Sequence, residues 1–537
     1  FESGICTEHS YRADLQNLIK NLNPCITAIN EAKRQKYGAP DFVINKNNLP
    51  IGYLETKDIG DTDLEGIKSN KEQFDRYKNS LENTIFTDYV SFLQFRGNKK
   101  VLEIDIGELN QGKIIPKTEN FDKFLILFDE FFQFSGISIK SPKELAIRMA
   151  GKAILLKNII FNLLSDEENN KSNIDLYHQY KAIKKILIKD LNIKEFSDLY
   201  SQTLAYGLFA ARLQDPTLTS FSRQEAAELI PKSNPLLRQL FGYIAGPNID
   251  ESIKWVVDDL VDLFRATDIK LFFEDDKNIN SKEEDPVIHF YETFLKEFDP
   301  KTKNRRGVVY TPYPAVNFIV KSIDSILLND FNLPEGLATN QLNIVENKTK
   351  NSYKEFQKVQ ILDPATGTGT FLTQTIKIIH SKLKGQYGAW NSYVNKNLIP
   401  RINGFELLMA SYSIAHLKTF LLLQNLGFNN PNHERFKIFL TNSLEEPNTY
   451  VEENFVSWLV SEAKEANRIK KDTPIMCIMG NPPYFAKSSN KGEWITKLVK
   501  DYFHEPNSNK KLDEKNSKQI NDDNVKSIRL SEHLTNK

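Results

Sequence analysis

The sequence predicts a multidomain α/β protein, with a mixed α/β domain at the front, an all-helical connector, and a doubly wound parallel sheet at the back. Three observations carry that expectation. A length of 537 residues exceeds what one ordinary core organises, so two to four domains are expected. Between Ser141 and about Pro300, apolar residues recur at helical spacing in segments such as "PKELAIRMAGKAILLKNIIFNLL" and "IKWVVDDLVDLFRAT". Beyond Pro300, the strand candidates "KVQILD", "RINGFE", "FKIFLTN" and "PIMCIMG" alternate with helical patterns, as a parallel sheet with crossover helices requires. The expected boundaries are 1–138, 139–300 and 301–537.

In chain order, the front domain opens with a helix around residues 8 to 22, short strands at 41 to 45 and 51 to 57, and a helix from about 65 to 80. Strand alternation returns in "DYVSFLQF" and "KVLEIDIGEL". The connector ends in "FDPKTKNRRGVVYTPYP", where prolines, a glycine and four basic residues within six positions suit a boundary or a DNA-facing loop. A composition of 40% hydrophobic and 26% charged residues is that of a soluble globular protein. No apolar run approaches the roughly 18 residues of a membrane span, and no basic-then-apolar leader opens the chain, so no membrane partner and a cytoplasmic location are expected. Seventy basic and seventy acidic residues cancel, which confines any nucleic-acid surface to a local patch. Cys6, Cys25 and Cys477 are scattered without metal spacing and read as small buried apolar residues. No phosphate loop of the G-x-x-x-x-G-K-[ST] type occurs, which argues against an ATP-driven motor.

The strand "KVQIL" runs into Asp363-Pro364-Ala365-Thr366-Gly367-Thr368-Gly369-Thr370, and an amphipathic helix follows. Two glycines two apart let the backbone turn sharply beside a ligand, and the helix N-terminus offers free N–H groups, so a nucleotide-like cofactor is expected across this turn. Glu406, ending "INGFE", can accept from ribose hydroxyls, provided that "KGQYGAWNSYVNKN" is an insertion. Asn442, in "FLTNSL", either offers its amide to an adenine edge or caps a turn.

The most specific feature is "GNPPYF", at the end of the fourth strand candidate. An [ND]-P-P-[YF] match arises by chance in roughly one chain in a hundred at average residue usage. It suits methyl transfer to an exocyclic amino nitrogen, whose lone pair is delocalised into its ring. Acceptors at the Asn481 side-chain carbonyl and the Pro482 backbone carbonyl would turn that lone pair towards an electrophilic methyl group. Pro482 and Pro483 keep the corner rigid, Tyr484 can stack on a base rotated out of a duplex, and Phe485 can line the same pocket. "LDPATGTGTFL" followed by "GNPPYF" resembles the N6-adenine DNA methyltransferases, and "GVVYTPYPAV" is similar to their cofactor-flanking motif in the γ order. The resemblance covers about residues 300 to 500 and implies S-adenosylmethionine as cofactor and double-stranded DNA with a flipped adenine as partner. It implies that Thr311 and Pro312 lie near the methionine end, that Asp363, Pro364, Ala365, Thr366, Gly367, Gly369 and Thr370 bind the cofactor, that Glu406 takes the ribose and Asn442 the adenine. Position 442 departs from the family, where an Asp is common.

In the front domain, "GAPDFVINKNNLPIGYLETKD" places Asp41 and Glu55 on two short strands of one hairpin, where they could meet, with Lys57 beside Glu55. Converging carboxylates need a cation; Mg2+ prefers oxygen ligands and would activate water against a phosphodiester. Lys57 would stabilise the attacking hydroxide or the charge on phosphorus, and Glu8 could complete or orient the metal shell. "EQFDRYK" sets Gln73 and Tyr77 on one helical face. Together these resemble the PD-(D/E)xK nucleases with their Q-x-x-x-Y motif, whose helix contacts DNA or supports the metal site.

As a whole, the chain resembles a type IIG restriction-modification enzyme, or a motorless relative of the type ISP enzymes. The resemblance implies that methylation protects a site at which the metal-dependent nuclease otherwise cuts. The alternatives are an orphan adenine methyltransferase whose nuclease-like front only binds DNA, and a catalytically silent DNA-binding subunit. A front that does not begin with methionine, the missing final strands of the sheet and the absence of a target-recognition domain suggest part of a longer protein. "NSNKKLDEKNSKQINDDNVKS" reads as a loop or disordered.

Overall fold

The computed structural model describes residues 8–30, 39–46, 49–134, 139, 141–170, 175–188, 191–215, 220–230, 234–247, 249–269, 286–298, 311–347, 352–383, 387–429, 435–447, 457–484, 488, 490–505, 508, 510–513 and 520–536. At the front, β1 (Ile26–Asn30), β2 (Phe42–Lys46), β3 (Leu49–Thr56), β4 (Asn83–Thr87), β5 (Ser91–Arg96) and β6 (Lys99–Asp105) form one sheet in that order. Only β3 and β4 run parallel, because α2 (Lys71–Ser80) carries the chain over between them. Period-two alternation gives this sheet two buried faces. Phe42, Ile44, Leu54, Ile85 and Phe92 face α1 (Arg12–Leu22) and α3 (Phe121–Phe132), whose Leu15, Ile19, Phe124, Phe128 and Phe131 complete that core. Tyr53, Phe86, Leu93 and Phe95 face the other way, onto Phe74 and Tyr77 of α2. The expected helix from residue 65 is shorter than predicted. The carboxylate of Asp63 accepts from the amides of Ile67, Lys68 and Asn70 at 2.7, 2.9 and 2.8 Å, which holds those residues as a turn ahead of α2.

Beyond a small hairpin of β7 (Gly107–Asn110) and β8 (Lys113–Pro116), the chain is helical as predicted: α4 (Pro142–Asn170), α5 (Asp175–Ile186), α6 (Ile193–Gln214), α7 (Arg223–Leu229), α8 (Pro235–Ala245), α9 (Glu251–Arg265) and α10 (Pro286–Phe298). The start signals are local. Asn192, Ser222, Asn234 and Asp250 each cap the helix that follows by accepting from an amide of its first turn. One apolar core runs without a break from Tyr53 and Phe74 through Leu156, Phe209 and Trp255 to Val316 and Ile376. Polar contacts reinforce the front junction: Ser80 Oγ donates to the Gly151 carbonyl at 2.9 Å, and Arg148 pairs with Glu82.

The C-terminal part holds α11 (Tyr313–Asn329), a hairpin of β9 (Leu342–Asn347) and β10 (Ser352–Gln357), then β11 (Ile361–Asp363), α12 (Thr370–Lys382), α13 (Tyr387–Tyr393), β12 (Ile402–Glu406), α14 (Met409–Asn425), β13 (Lys437–Leu440), α15 (Ser457–Asp472), β14 (Cys477–Ile478), α16 (Glu493–Val499) and α17 (Asp523–Thr535). All four predicted strands are present. They form a parallel sheet in the order β13-β12-β11-β14. The described part of the proposed insertion, from Tyr387, is helical, with α13 passing into a π-helix at Val394–Leu398.

Two expectations are corrected. The polar stretch ending at Ser527 is not wholly a loop, because Asp522 caps α17, which buries Leu530 and Leu534 against Ile495. Its driving apolar residues lie at and beyond the stretch's end. Cys477 is buried in β14, whereas Cys25 is exposed in the turn before β1, and Cys6 lies outside the described residues.

Arg401, at the entry to β12, is fully buried and donates to the Asn397 and Leu337 carbonyls, both at 2.7 Å, and to the Tyr393 hydroxyl at 2.9 Å. Replacing it strands these buried acceptors. Arg401→Met is expected to cost about 2–4 kcal/mol in equilibrium urea unfolding, and a change under 0.5 kcal/mol would contradict this role.

Candidate functional site

The chain leaves β11 to build β12 and β13 on one side, then returns to place β14 on the other. Such a switch point opens a crevice beyond the carboxyl ends of the strands. The predicted glycine loop follows β11 and Gly480 to Tyr484 follow β14, so both leave the sheet at this edge. Asp363 closes β11 and is fully buried; its Oδ1 accepts from the Ala365 amide at 3.0 Å, and its Oδ2 has no partner among the described residues. Burial pushes this carboxyl up to about 8, against the pull of the Ala365 amide and with the nearby Glu406 adding to the rise. Gly367 and Gly369 take φ of 55° and 80°, which side chains rarely adopt, and Gly369 caps α12. Thr370 opens that helix, and the Thr368 and Thr370 hydroxyls lie 3.4 Å apart. The Thr366 amide donates to the Phe405 carbonyl at 2.9 Å, locking the loop to β12.

Glu406 ends β12 beside the loop, as predicted. Its Oε2 accepts from the Gly367 amide at 2.7 Å, and its Oε1 from the Leu407 and Leu408 amides at 2.8 and 2.7 Å. Burial still raises it to about 7, against the pull of those three amides. Asn442 follows β13, and its amide is already engaged: Oδ1 accepts from the Leu444 amide at 3.1 Å and Nδ2 donates to Asn490 Oδ1 at 2.8 Å. The turn-capping alternative is therefore realised there. Thr311 and Pro312 precede α11, with Pro312 at its N-cap. That helix lies along α12, where Gln374 Nε2 donates to Asn317 Oδ1 at 2.9 Å.

After β14, the Met479 amide donates to the Leu362 carbonyl at 3.1 Å, and Gly480 then passes the Asp363 carboxylate so closely that a β-carbon would stand 2.5 Å from Oδ1. Asn481, Pro482 and Pro483 follow half-buried, and Tyr484 is 56% exposed. Phe485 and residues 301–310 lie outside the described residues.

In the front domain, Asp41 and Glu55 meet on the hairpin with Lys57 beside Glu55, and Gln73 and Tyr77 of α2 join the same cluster. Glu55 Oε1 accepts from Lys57 Nζ at 3.1 Å and from Gln73 Nε2 at 2.6 Å, while Lys57 also donates to Gln73 Oε1 at 3.0 Å. Gln73 Nε2 lies 3.3 Å from the Tyr77 hydroxyl, and the Asp41 amide donates to Glu55 Oε2 at 3.3 Å. Sequence reasoning missed two partners. Arg12, on α1, is buried and donates to Asp41 Oδ1 at 2.7 Å, and Thr56 gives Asp41 Oδ2 both its amide (2.6 Å) and its hydroxyl (2.5 Å). Thr56 sits in plain view between Glu55 and Lys57, whereas an arginine on an amphipathic helix carries no such signal. Burial raises Glu55 to about 8, with the neighbouring Asp41 charge second and Lys57 opposing. Glu8 opens the 3-10 turn before α1, and its side chain lies outside the described residues.

Residues 282–519 match the family described as N-6 DNA Methylase. The C-terminal part is therefore similar to that family over those residues. No curated protein matches the chain. In fold, it is similar to a nuclease-deletion mutant of the type ISP restriction-modification enzyme LlaGI bound to a DNA substrate mimic (TM-score 0.50, 21% identity, 78% of this chain, 30% of that one). A second similar structure is the ATP-dependent type ISP enzyme LlaBIII bound to DNA (TM-score 0.50, 20% identity, 78% and 26%). A DrdV–DNA complex aligns over 99% of this chain and 47% of its own at 20% identity, with a TM-score of 0.47. The chain spans less than half the length of each.

The methylase family implies S-adenosylmethionine. The crevice suits it, because an orphaned buried carboxylate at Asp363 meets a ligand that carries an ammonium and a sulfonium, and left-handed glycines let the backbone approach closely. For a divalent cation, Asp41 and Glu55 offer carboxylate oxygens, each of which already faces a cation of the chain, Arg12 at Asp41 and Lys57 at Glu55. Among the described residues, no three His, Cys, Asp or Glu side chains gather in a metal-holding group.

A carboxyl raised on folding from 4.5 to about 8 binds its proton more tightly when folded, so its contribution is complete below about pH 4.5 and is lost as pH rises towards 8. Glu55→Gln removes this dependence. In chelator-treated buffer, the melting temperature of the wild type relative to Glu55→Gln is expected to fall between pH 5 and 8, and parallel curves would refute the raised carboxyl.

Proposed function

We propose that the chain methylates adenine N6 in double-stranded DNA, and that its front domain is a magnesium-dependent nuclease directed against unmethylated DNA. One observation carries the methyl-transfer reading: Asn481-Pro482-Pro483-Tyr484 leaves β14 directly beside the Asp363 loop, in contact through Gly480. S-adenosylmethionine supplies an electrophilic methyl group when bound. Asp363 answers the cofactor's positive charge, the Gly367 and Gly369 turn gives it backbone room, Glu406 accepts from its ribose, and Thr311 and Pro312 flank its methionine end. Asn442 serves its adenine end through the loop it holds. At the target, the Asn481 carbonyl and the Pro482 backbone carbonyl accept the two amino hydrogens, which turns the nitrogen lone pair outwards. Pro483 stiffens that corner, and the exposed Tyr484 ring stacks on a base taken out of the duplex.

For the front domain, the reading rests on a buried carboxylate pair with an adjacent lysine. Asp41 and Glu55 would hold Mg2+, with Glu8 as a further ligand, and the ion would lower the pKa of bound water. Lys57 would steady charge on the phosphodiester, held by Glu55 and Gln73, with Tyr77 behind Gln73. The pairing of Arg12 with Asp41 favours a second reading, in which this domain binds DNA without cutting and the protein is a methyltransferase alone.

With long unmethylated duplex DNA and labelled S-adenosylmethionine, Asn481→Ala is expected to lower methyl incorporation by about a hundredfold or more. Incorporation at the wild-type rate would remove Asn481 from catalysis. With Mg2+ and the same DNA, Asp41→Ala is expected to abolish cleavage. Unchanged cleavage would exclude this centre, and no cleavage by the wild type would select the second reading.

A further inference from the structure

A largely buried polar network links Asn442 to residues outside the motifs described so far, beside the proposed methyl-transfer crevice. Asn490 is its hub. The Asn490 amide N–H donates to Ser488 Oγ at 3.0 Å, its carbonyl accepts from Lys526 Nζ at 2.6 Å, its Oδ1 accepts from Asn442 Nδ2 at 2.8 Å, and its Nδ2 donates to Asp523 Oδ1 at 3.0 Å. Every hydrogen-bonding group of this residue is thereby engaged. Ser488 Oγ in turn donates to Asp523 Oδ1 at 2.6 Å and accepts from Lys526 Nζ at 2.7 Å. Ser488, Asp523 and Lys526 are 8%, 6% and 2% exposed. A satisfied network in a low-dielectric site holds its members in one arrangement.

The placement gives the network its meaning. Ser488 and Asn490 lie four and six residues after Tyr484 in sequence, so the network anchors the chain shortly beyond the target-base motif. Asn442 lies two residues after the end of β13, and buried Lys470 holds its backbone carbonyl at 2.7 Å from the other side. Asp523 and Lys526 belong to α17, which is anchored in the sheet's own core by Leu530 and Leu534. The adenine-end loop and the target-base loop are therefore both tied to one helix.

We infer that Asn490, braced by Asp523 and Lys526, is a positioning residue that couples the cofactor's adenine end to the placement of the target base. The inference rests on the methyl-transfer reading above. Its signature is a simultaneous effect on cofactor affinity and turnover, which neither loop alone would give.

The test uses the full chain, with S-adenosylmethionine binding followed by calorimetry and methyl transfer followed on long unmethylated duplex DNA. Asn490→Ala is expected to weaken cofactor binding about tenfold and to lower kcat about tenfold, the usual effect of a lost buried hydrogen bond. Lys526→Met should behave likewise, whereas Lys526→Arg, which keeps the cation, should stay within about threefold of wild type in both. Asn442→Ala combined with Asn490→Ala should be little worse than either alone, since the two share one bond. A folded Asn490→Ala chain with wild-type affinity and kcat overturns the brace, as does full additivity of the pair. Loss of folding in both Asn490→Ala and Lys526→Met, read by thermal melting, assigns the network to stability alone and also overturns it. A wild-type chain that neither binds the cofactor nor labels DNA defeats the methyl-transfer reading and the brace together. Activity in the wild type with no change in the variants defeats the brace alone.

Discussion

Where β14 lies beside β11, the Met479 amide reaches the Leu362 carbonyl, and the chemistry available to the C-terminal domain follows from that pairing. The hydrogen bond fixes where the chain emerges, and the next residue has no side chain, so Gly480 can pass against Asp363. The glycine loop and the Asn481-Pro482-Pro483-Tyr484 segment, separated by more than a hundred residues of sequence, thereby become neighbours. Any side chain at position 480 would force one away from the other.

Three buried carboxyls, Glu55, Asp363 and Glu406, are each raised to between about 7 and 8, with desolvation as the leading cause in every case. Glu406 relieves its burial with three backbone amides, whereas one oxygen of Asp363 is left without a partner among the described residues. At the front, Glu55 is relieved by Lys57 and Gln73, and Asp41 by Arg12 and Thr56. The front-domain acids are thus met by the chain's own cations, whereas Asp363 has none among its partners in the described residues.

Much of this was legible in the sequence because the signals were local. The strand-turn-helix around Gly367 and Gly369, the four alternating strands, and the hairpin that brings Asp41 to Glu55 all depend on periodicity and turn chemistry within a few dozen residues. What escaped depends on long-range packing. Arg12 reaches Asp41 only because α1 lies across the first sheet, and Asn490 meets Asn442 only because α17 folds back over the fourth strand. The polar run ahead of α17 concealed that helix, since the leucines that seat it come after the run. A capping carboxylate, Asp63, likewise shortened α2 in a way that hydrophobic periodicity does not register.

The unbroken core from Tyr53 and Trp255 to Val316 and Ile376 has a geometric consequence. The two candidate centres are spaced by packed helices rather than by a tether, so their separation is a property of the fold, as the distance between two marks is a property of a ruler. Altering the helical layer between them would change that separation without touching either centre.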